Sequence, residues 1–489
     1  MSIITYINIQ KIIELWYNFY RKGGNFVITY QDFLNYSGDE QAKMEYILEV
    51  IDDHKSSWGY IEALNAEMYY KQRNITILNY QKWLYKLTGQ KIKDTISPNY
   101  KIPSNFFNRF VTQLNQYLLG NGVTFSDEGV KEKLGNDFDT QLQKAGREAL
   151  VGGKSFGFWN NGKLEVFKLT EFAPLFDEET GQLRAGVYFW RLDCDKPMRI
   201  TLFEEDGITE YIKGEKQDIS VYKPKRAYAM KYKATVSDGI ELDKELSYPG
   251  FPIVPLYGNP SKQSELVGLR SSIDAYDLIK SGFANDLDGH MLYWVIQGAG
   301  GMDDPDVARL IDRIKMLGAA VSTEDASITP KEINIPYESR ISYLDRLEED
   351  MYKDFGALKV EIISAGATTA TQINAAYQPL DCKADQFEFE CIDFIRGILE
   401  LQGIDSVPQF KRNKIANINE ETTMVLSAAS YLDDETVLKH LPFLSPDEID
   451  GILERKLNEE AARYTPEQPL QPGIEEEEQQ NTAPPNGVQ

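Results

Sequence analysis

Between about residues 39 and 90, apolar and aromatic positions recur at helical intervals, Met44, Ile47, Leu48 and Ile51 among them, and predict mainly helix. Pro98 and Pro103 interrupt the pattern within ISPNYKIPSNFF. A helix over Phe106–Leu119 is then expected to stop at Gly120-Asn121-Gly122. From Ser155 to about Pro255 the chain turns to short runs of Val, Phe, Tyr and Thr separated by Gly, Asn and Asp. GFWNNGKLEVFKL predicts a hairpin around Asn160-Asn161-Gly162, and DEETGQLRAGVYFWRL a second around Thr180-Gly181. This block reads as an antiparallel α+β body.

After the proline-rich SYPGFPIVPLYGNPS, a long helix is expected over about 265–288. Its apolar stripe is Leu266, Leu269, Ile273, Tyr276, Ile279, Phe283 and Leu287, and the opposite face carries Asp274, Asp277, Asp286 and Asp288. Such a helix spans roughly 36 Å. Residues 291–336 read as a small α/β insert: the apolar run MLYWVIQ, a Gly-rich turn, a helix at 305–318, then strands near Ala320 and Ile333. A second amphipathic helix, 338–357, has Ile341, Leu344, Leu347, Met351 and Phe355 on one face and Glu348 among its acids. ISAGATTATQ follows, small and polar, with Ser364, Gly366, Thr368, Thr369 and Gln372. The third long helix, 372–402, contains Pro379, which removes a backbone donor and predicts a kink. Residues 417–462 read as helical, and 464–489, with five prolines, five glutamates and no Lys or Arg, as a disordered tail.

With 76 acids against 52 bases the net charge is −24, which argues against tight gripping of nucleic-acid phosphates. The same charge suits weak, sliding contact with DNA past a repulsive wall, and equally suits plain solubility. No run of eighteen apolar residues appears, so no membrane-spanning helix is expected. The start, MSIITYINIQKIIELW, lacks a basic n-region and a cleavage site, so no secretory signal is expected.

Catalytic chemistry finds little support. GGKS at Gly152–Ser155 lacks the spacing of a phosphate loop, and helix precedes the glycines where strand should. A tight helix-to-strand turn accounts for them better. His54, His290 and His440 are scattered, and Cys194, Cys382 and Cys391 form no CxxC pair. Neither GxSxG nor HExxH occurs. No catalytic, cofactor-binding or metal-binding residue is assigned, and the chain is not expected to be an enzyme. The aromatics of the β block lack interleaved Lys and Arg, so they are read as core rather than as stacking platforms for bases.

The order of elements and four local stretches carry a resemblance. Tyr69-Tyr70 followed by Asn74-Ile75-Thr76-Ile77-Leu78, NYKIPSNFFNRFVTQLNQYLLGNGVTF at 99–125, and AGREALVGGKSFGFW at 145–159 are three of them. The fourth is FPIVPLYGN followed by IDAYDLIKSGFANDLDG at 273–289. Together they resemble the portal proteins of long-tailed, siphovirus-type bacteriophages. Where many members have Gly-x-Ala-Tyr, this chain has Gly153-Lys154-Ser155-Phe156.

The resemblance implies an α+β multidomain portal fold. It comprises an N-terminal extension (1–36), an antiparallel β-containing wing (37–257), a stem helix (258–290) and a small α/β clip (291–336). A second stem helix (337–357), a tunnel loop (358–371), a kinked helix (372–404), a crown (405–463) and the acidic tail (464–489) complete it. It further implies a homo-oligomeric ring of about twelve subunits at one capsid vertex, with a channel for double-stranded DNA. The implied partners are the terminase large subunit, a head-completion adaptor, and the major capsid and scaffolding proteins. The implied location is the virion, with host cytoplasm during assembly. Ser364, Gly366, Thr368, Thr369 and Gln372 would touch DNA, and Asp274, Asp277 and Glu348 would form an acidic stem wall. The alternative is a head-assembly protein without a channel.

Overall fold

The computed structural model describes residues 28–36, 39–85, 90–95, 97–215, 218–228, 230–236, 240–246, 248–288, 292–297, 305–306, 309, 327–332, 337–361, 370–414, 418–441, 444 and 446–463. The chain divides into two compact units, residues 1–368 with 374–414, and residues 369–373 with 415–489.

After a short helix at Tyr30–Asn35, the first unit continues with helices α1 (Glu40–Ser56) and α2 (Trp58–Tyr70). Asp39 and Ser57 cap them through Ala42 N–H and Tyr60 N–H, so each helix starts at a residue whose side chain satisfies an orphan donor. Helices α3 (Phe106–Leu119) and α4 (Phe138–Gly152) follow. Then come strands β1 (Lys154–Asn160), β2 (Lys163–Lys168), β3 (Phe172–Phe176), β4 (Leu183–Trp190), β5 (Met198–Glu204), β6 (Gly207–Lys213), β7 (Ser220–Arg226), β8 (Met230–Val236), β9 (Ile240–Leu246) and β10 (Ile253–Tyr257). The long elements are α5 (Arg270–Asp288), the strand pair β11 (Leu292–Gln297) and β12 (Ser327–Glu332), α6 (Tyr337–Phe355) and α7 (Ala370–Leu401).

Every sheet is antiparallel, as expected of the β block. One has the order β7-β6-β5-β4-β3, another β10-β1-β2. Both predicted hairpins form. Asn160 pairs Lys163 across a two-residue turn in which Asn161 and Gly162 have φ of 49° and 78°. Alternation along β4 and β5 sends Val187, Phe189, Ile200 and Leu202 to one face, where they meet Ile47, Val50 and Ile51 of α1. Phe33, from the helix Tyr30–Asn35, sits in this same cluster, so that part of the expected N-terminal extension belongs to the core. The opposite face supplies Phe203 to a second cluster with Phe156, Phe158, Phe167 and Phe172.

Some boundaries differ from expectation. Residues 83–85 and 91–93 pair as strands rather than continuing a helix. The helix expected from 265 starts at Arg270, because Ser264 Oγ accepts from Leu266 N–H and the Glu265 carboxylate is drawn to Asn259 and Lys383. The helix expected at 305–318 and the strand near Ala320 fall almost wholly outside the described residues, as does the tail 464–489.

The second unit contains helices α8 (Ile418–Ala428), α9 (Asp434–His440) and α10 (Pro446–Arg463). Asp433 caps α9 through Thr436 N–H, and Lys456 pairs with Asp434. Met424, Leu426, Tyr431 and Leu457 are exposed.

The Gly152-Gly153 turn matches its reading as a helix stop. Gly153 has φ +85°, and a Cβ there would stand 2.8 Å from the backbone of Gln263. Gly153→Ala should therefore cost about 1–3 kcal/mol in urea unfolding, and Gly162→Ala, with positive φ but open space, less.

Candidate functional site

Helices α5 and α6 lie antiparallel, joined by an Arg340–Asp286 ion pair and an edge-to-face contact of Phe283 with Tyr337 at 5.5 Å. At their shared root the apolar stripes are buried: Leu266, Leu269 and Ile273 on one strand of the chain, Met351 and Phe355 on the other. Phe106 meets Tyr276 edge-on at 5.0 Å, and Phe110 meets both Tyr352 and Phe355. Away from the root the stripes surface. Leu287 is 53 % exposed and Ile341 49 %.

A row of polar side chains fastens α5 to the body. Asp277, Ser281 and Asn285 follow one another at four-residue steps and are all buried. The extended segment 100–104 runs along them. Ser104 N–H donates to Asp277 Oδ1 at 2.8 Å, Ile102 N–H to Ser281 Oγ at 3.0 Å, and Tyr100 N–H to Asn285 Oδ1 at 2.5 Å. Asn285 Nδ2 returns a bond to Tyr100 O at 3.4 Å. Asn74 Nδ2 donates to Asp277 Oδ2 at 2.7 Å, while Tyr69 OH and Thr76 Oγ1 donate to Asp274 at 2.5 and 2.9 Å.

Of the three acids expected to line a wall, these contacts draw Asp277 into the interior. Asp277 is fully buried within the subunit and presents no charge to solvent. Burial raises its carboxyl pKa above the ordinary value, against the pull of the Asn74 and Ser104 donors. Asp274 is half-buried, and burial, followed by the bond to Asp274, pushes the Tyr69 phenol up to about 12. Glu348 is half-exposed and pairs with Lys359 at 3.4 Å. Gln372 is exposed in the first turn of α7. Ser364, Gly366, Thr368 and Thr369 lie outside the described residues. Pro379 sits inside α7, and Gly356, which ends α6 with φ +78°, passes so near that a Cβ would stand 3.1 Å from Pro379 O.

A second set of polar residues was not anticipated. Arg412 pairs with Asp381 at 2.9 Å, with Glu388 at 2.8 Å and with Asp385, all along one face of α7. Lys414 reaches Asp381 at 2.8 Å, and Tyr117 OH donates to the same carboxylate at 2.5 Å. The segment 409–414 is thereby strapped along α7. Among the described residues no His, Cys, Asp and Glu group could hold a metal, the three cysteines are free, and no helix is long and apolar enough to cross a membrane.

Ser281→Ala should leave Ile102 N–H unpaired and cost about 1–2 kcal/mol in urea unfolding. Asp277→Lys should cost about 3–5 kcal/mol, since it replaces two accepted bonds by a buried, unmatched cation. Asp277→Asn removes the charge at nearly constant shape and turns one of the two acceptors into a donor. A carboxyl whose folded pKa is raised binds its proton more tightly folded than unfolded. The native chain should therefore gain stability relative to Asp277→Asn as pH falls through that raised pKa.

Residues 48–463 match the protein family described as phage portal protein, SPP1 Gp6-like. The portal protein of Clostridium phage phiCD119 is 26 % identical over 204 residues, 40 % of this chain and 45 % of that protein. The portal protein of Bacillus phage SPP1 is 24 % identical over 366 residues, 70 % of this chain and 69 % of that one. The chain thus spans less than half the length of the first of these relatives. A solved chain from the virion of a native gene transfer agent particle aligns at 11 % identity over 71 % of this chain and 89 % of its own length. Its TM-score of 0.35 is too low to bear on the fold. The match over residues 48–463 bears out the resemblance read from the four stretches: the chain belongs to the SPP1 Gp6-like family of phage portal proteins.

Proposed function

We propose that this chain is one subunit of a homo-oligomeric ring of about twelve copies, set at a single capsid vertex, through which double-stranded DNA is packaged and ejected. Family membership over residues 48–463 carries the reading. The surfacing stripes support it: Leu287 of α5 and Ile341 of α6 are exposed apolar side chains that neighbouring copies would cover. On this reading α5 and α6 are the stem, β11 and β12 with the residues between them the clip, and residues 358–371 the tunnel loop. The clip would face the terminase large subunit during packaging and a head-completion adaptor afterwards. Capsid and scaffolding proteins would surround the wing. The subunit would move through host cytoplasm during assembly and reside in the virion.

The chain would act without catalysis or cofactor, leaving nucleotide hydrolysis to the motor. Ser364, Gly366, Thr368, Thr369 and Gln372 offer small polar contacts to phosphates without charge to hold them. Glu348 is retained as an acidic stem residue facing DNA, while Asp277 is not, because it is buried. The rival reading, a head-assembly protein without a channel, lacks a reason for a stem–insert–stem order.

Ile341→Asp together with Leu287→Asp should leave the subunit folded by circular dichroism but shift sedimentation from a large ring to the monomer. Rings that persist unchanged would remove the stem from the interface. Deleting 364–369 should leave proheads assembled but empty, or filled and leaking. Normal packaging and retention would rule out a tunnel loop there.

A further inference from the structure

The two sheets of the first unit diverge around a cleft of about 450 Å³. One wall is the face of the β1–β2 hairpin that carries Phe158, Glu165 and Phe167. The other is a cross-strand row, Tyr188, Thr201 and Glu210, on neighbouring strands β4, β5 and β6. Aromatic rings form the bottom. Phe167 stacks on Tyr188 at 4.4 Å, Phe158 meets Phe203 edge-on at 5.1 Å, and Tyr228 closes one end. The opening is polar and carries a carboxylate on each lip.

The two carboxylates are not equivalent. Glu210 is neutralised by Lys223 at 2.9 Å and Arg226 at 2.8 Å, so Arg226, though it lines the cleft, is already engaged. Glu165, on the opposite lip, is met by an uncharged donor, Asn160 Nδ2, at 2.9 Å. The two phenols inside feel the same sign. Tyr188 is pushed up to about 12 by burial and then by Glu171 and Glu165. Tyr228 is raised by burial and then by Glu204 and Asp206. An aromatic floor in a negative field favours a cation, because ring faces and carboxylates attract it together.

We infer that this cleft is a docking site for a Lys- or Arg-bearing segment of a partner protein, its cationic head against Glu165 and its stem along the half-buried Tyr188. Charge complementarity selects the partner. A cleft with one uncompensated carboxylate on a chain of net charge −24 favours a basic segment over an acidic one. An aromatic floor favours a long side chain whose methylenes cover ring faces. The cleft lies away from the stem helices and is independent of the ring reading.

Isothermal titration of the full-length protein with three nonapeptides tests the site: Gly-Gly-Ser-Gly-Xaa-Gly-Ser-Gly-Gly, with Xaa as Arg, Gln or Glu. The Arg peptide should bind at least ten-fold tighter than the Gln peptide, and the Glu peptide most weakly. Glu165→Gln, at an exposed side chain that should not disturb folding, should weaken the Arg peptide at least five-fold and leave the Gln peptide unchanged. Glu388→Gln, a distant carboxylate, should change neither. Equal binding of Arg and Gln peptides, no binding of either, or equal losses from both variants would overturn the inference. Binding by the dissociated subunit that disappears in the assembled oligomer would give the cleft to a neighbouring copy and overturn the partner assignment.

Discussion

A stretch of backbone without regular secondary structure is bonded to a helix through side chains of matching pitch, and the placement of α5 depends on that match. Two residues of extended chain advance about 6.6 Å, and four residues of helix about 6.0 Å. Backbone donors at Tyr100, Ile102 and Ser104 therefore meet acceptors at Asn285, Ser281 and Asp277 in succession. Each contact satisfies a backbone group that would otherwise be buried unpaired. The pairing also fixes the sliding position of α5 against the body, because shifting the helix by one residue would present apolar or misdirected side chains to all three donors. Helix α6 takes its place from α5 through Arg340 and the Phe283–Tyr337 contact.

The same economy appears elsewhere in the first unit. A hairpin and a five-stranded sheet meet along one aromatic cluster, which Tyr188 joins by stacking on Phe167. Arg412 satisfies three carboxylates of α7 at once and holds segment 409–414 beside it. Polar groups in this unit do positional work while the apolar clusters supply most of the stabilising area. Part of the excess acid of the composition is engaged within the subunit, buried at Asp277 and paired with Arg412 along α7.

Periodicity made much of the architecture legible. Helix Phe106–Leu119 and both hairpins stand where their patterns put them, since an apolar stripe and an Asn-Gly turn are local signals. The start of α5 was misplaced because Ser264 and Glu265 form bonds that stop the helix short. The polar row of α5 was misjudged for a deeper reason. Asp277, Ser281 and Asn285 recur every four residues, as a solvated face does, and only the approach of segment 100–104 makes that face interior. The one hint available was that NYKIPSN, with two prolines nearby and no periodicity of its own, had to find partners for its backbone donors. Arg412 gave no hint, because its three partners lie 24 to 31 residues away.

The central claim is that copies of this chain close into a ring around an axial hole, and single-particle electron microscopy of the purified, assembled protein tests it most directly. Class averages should display rings of about twelve units with a stain-filled centre. Closed oligomers of uniform size with no axial opening would contradict the account.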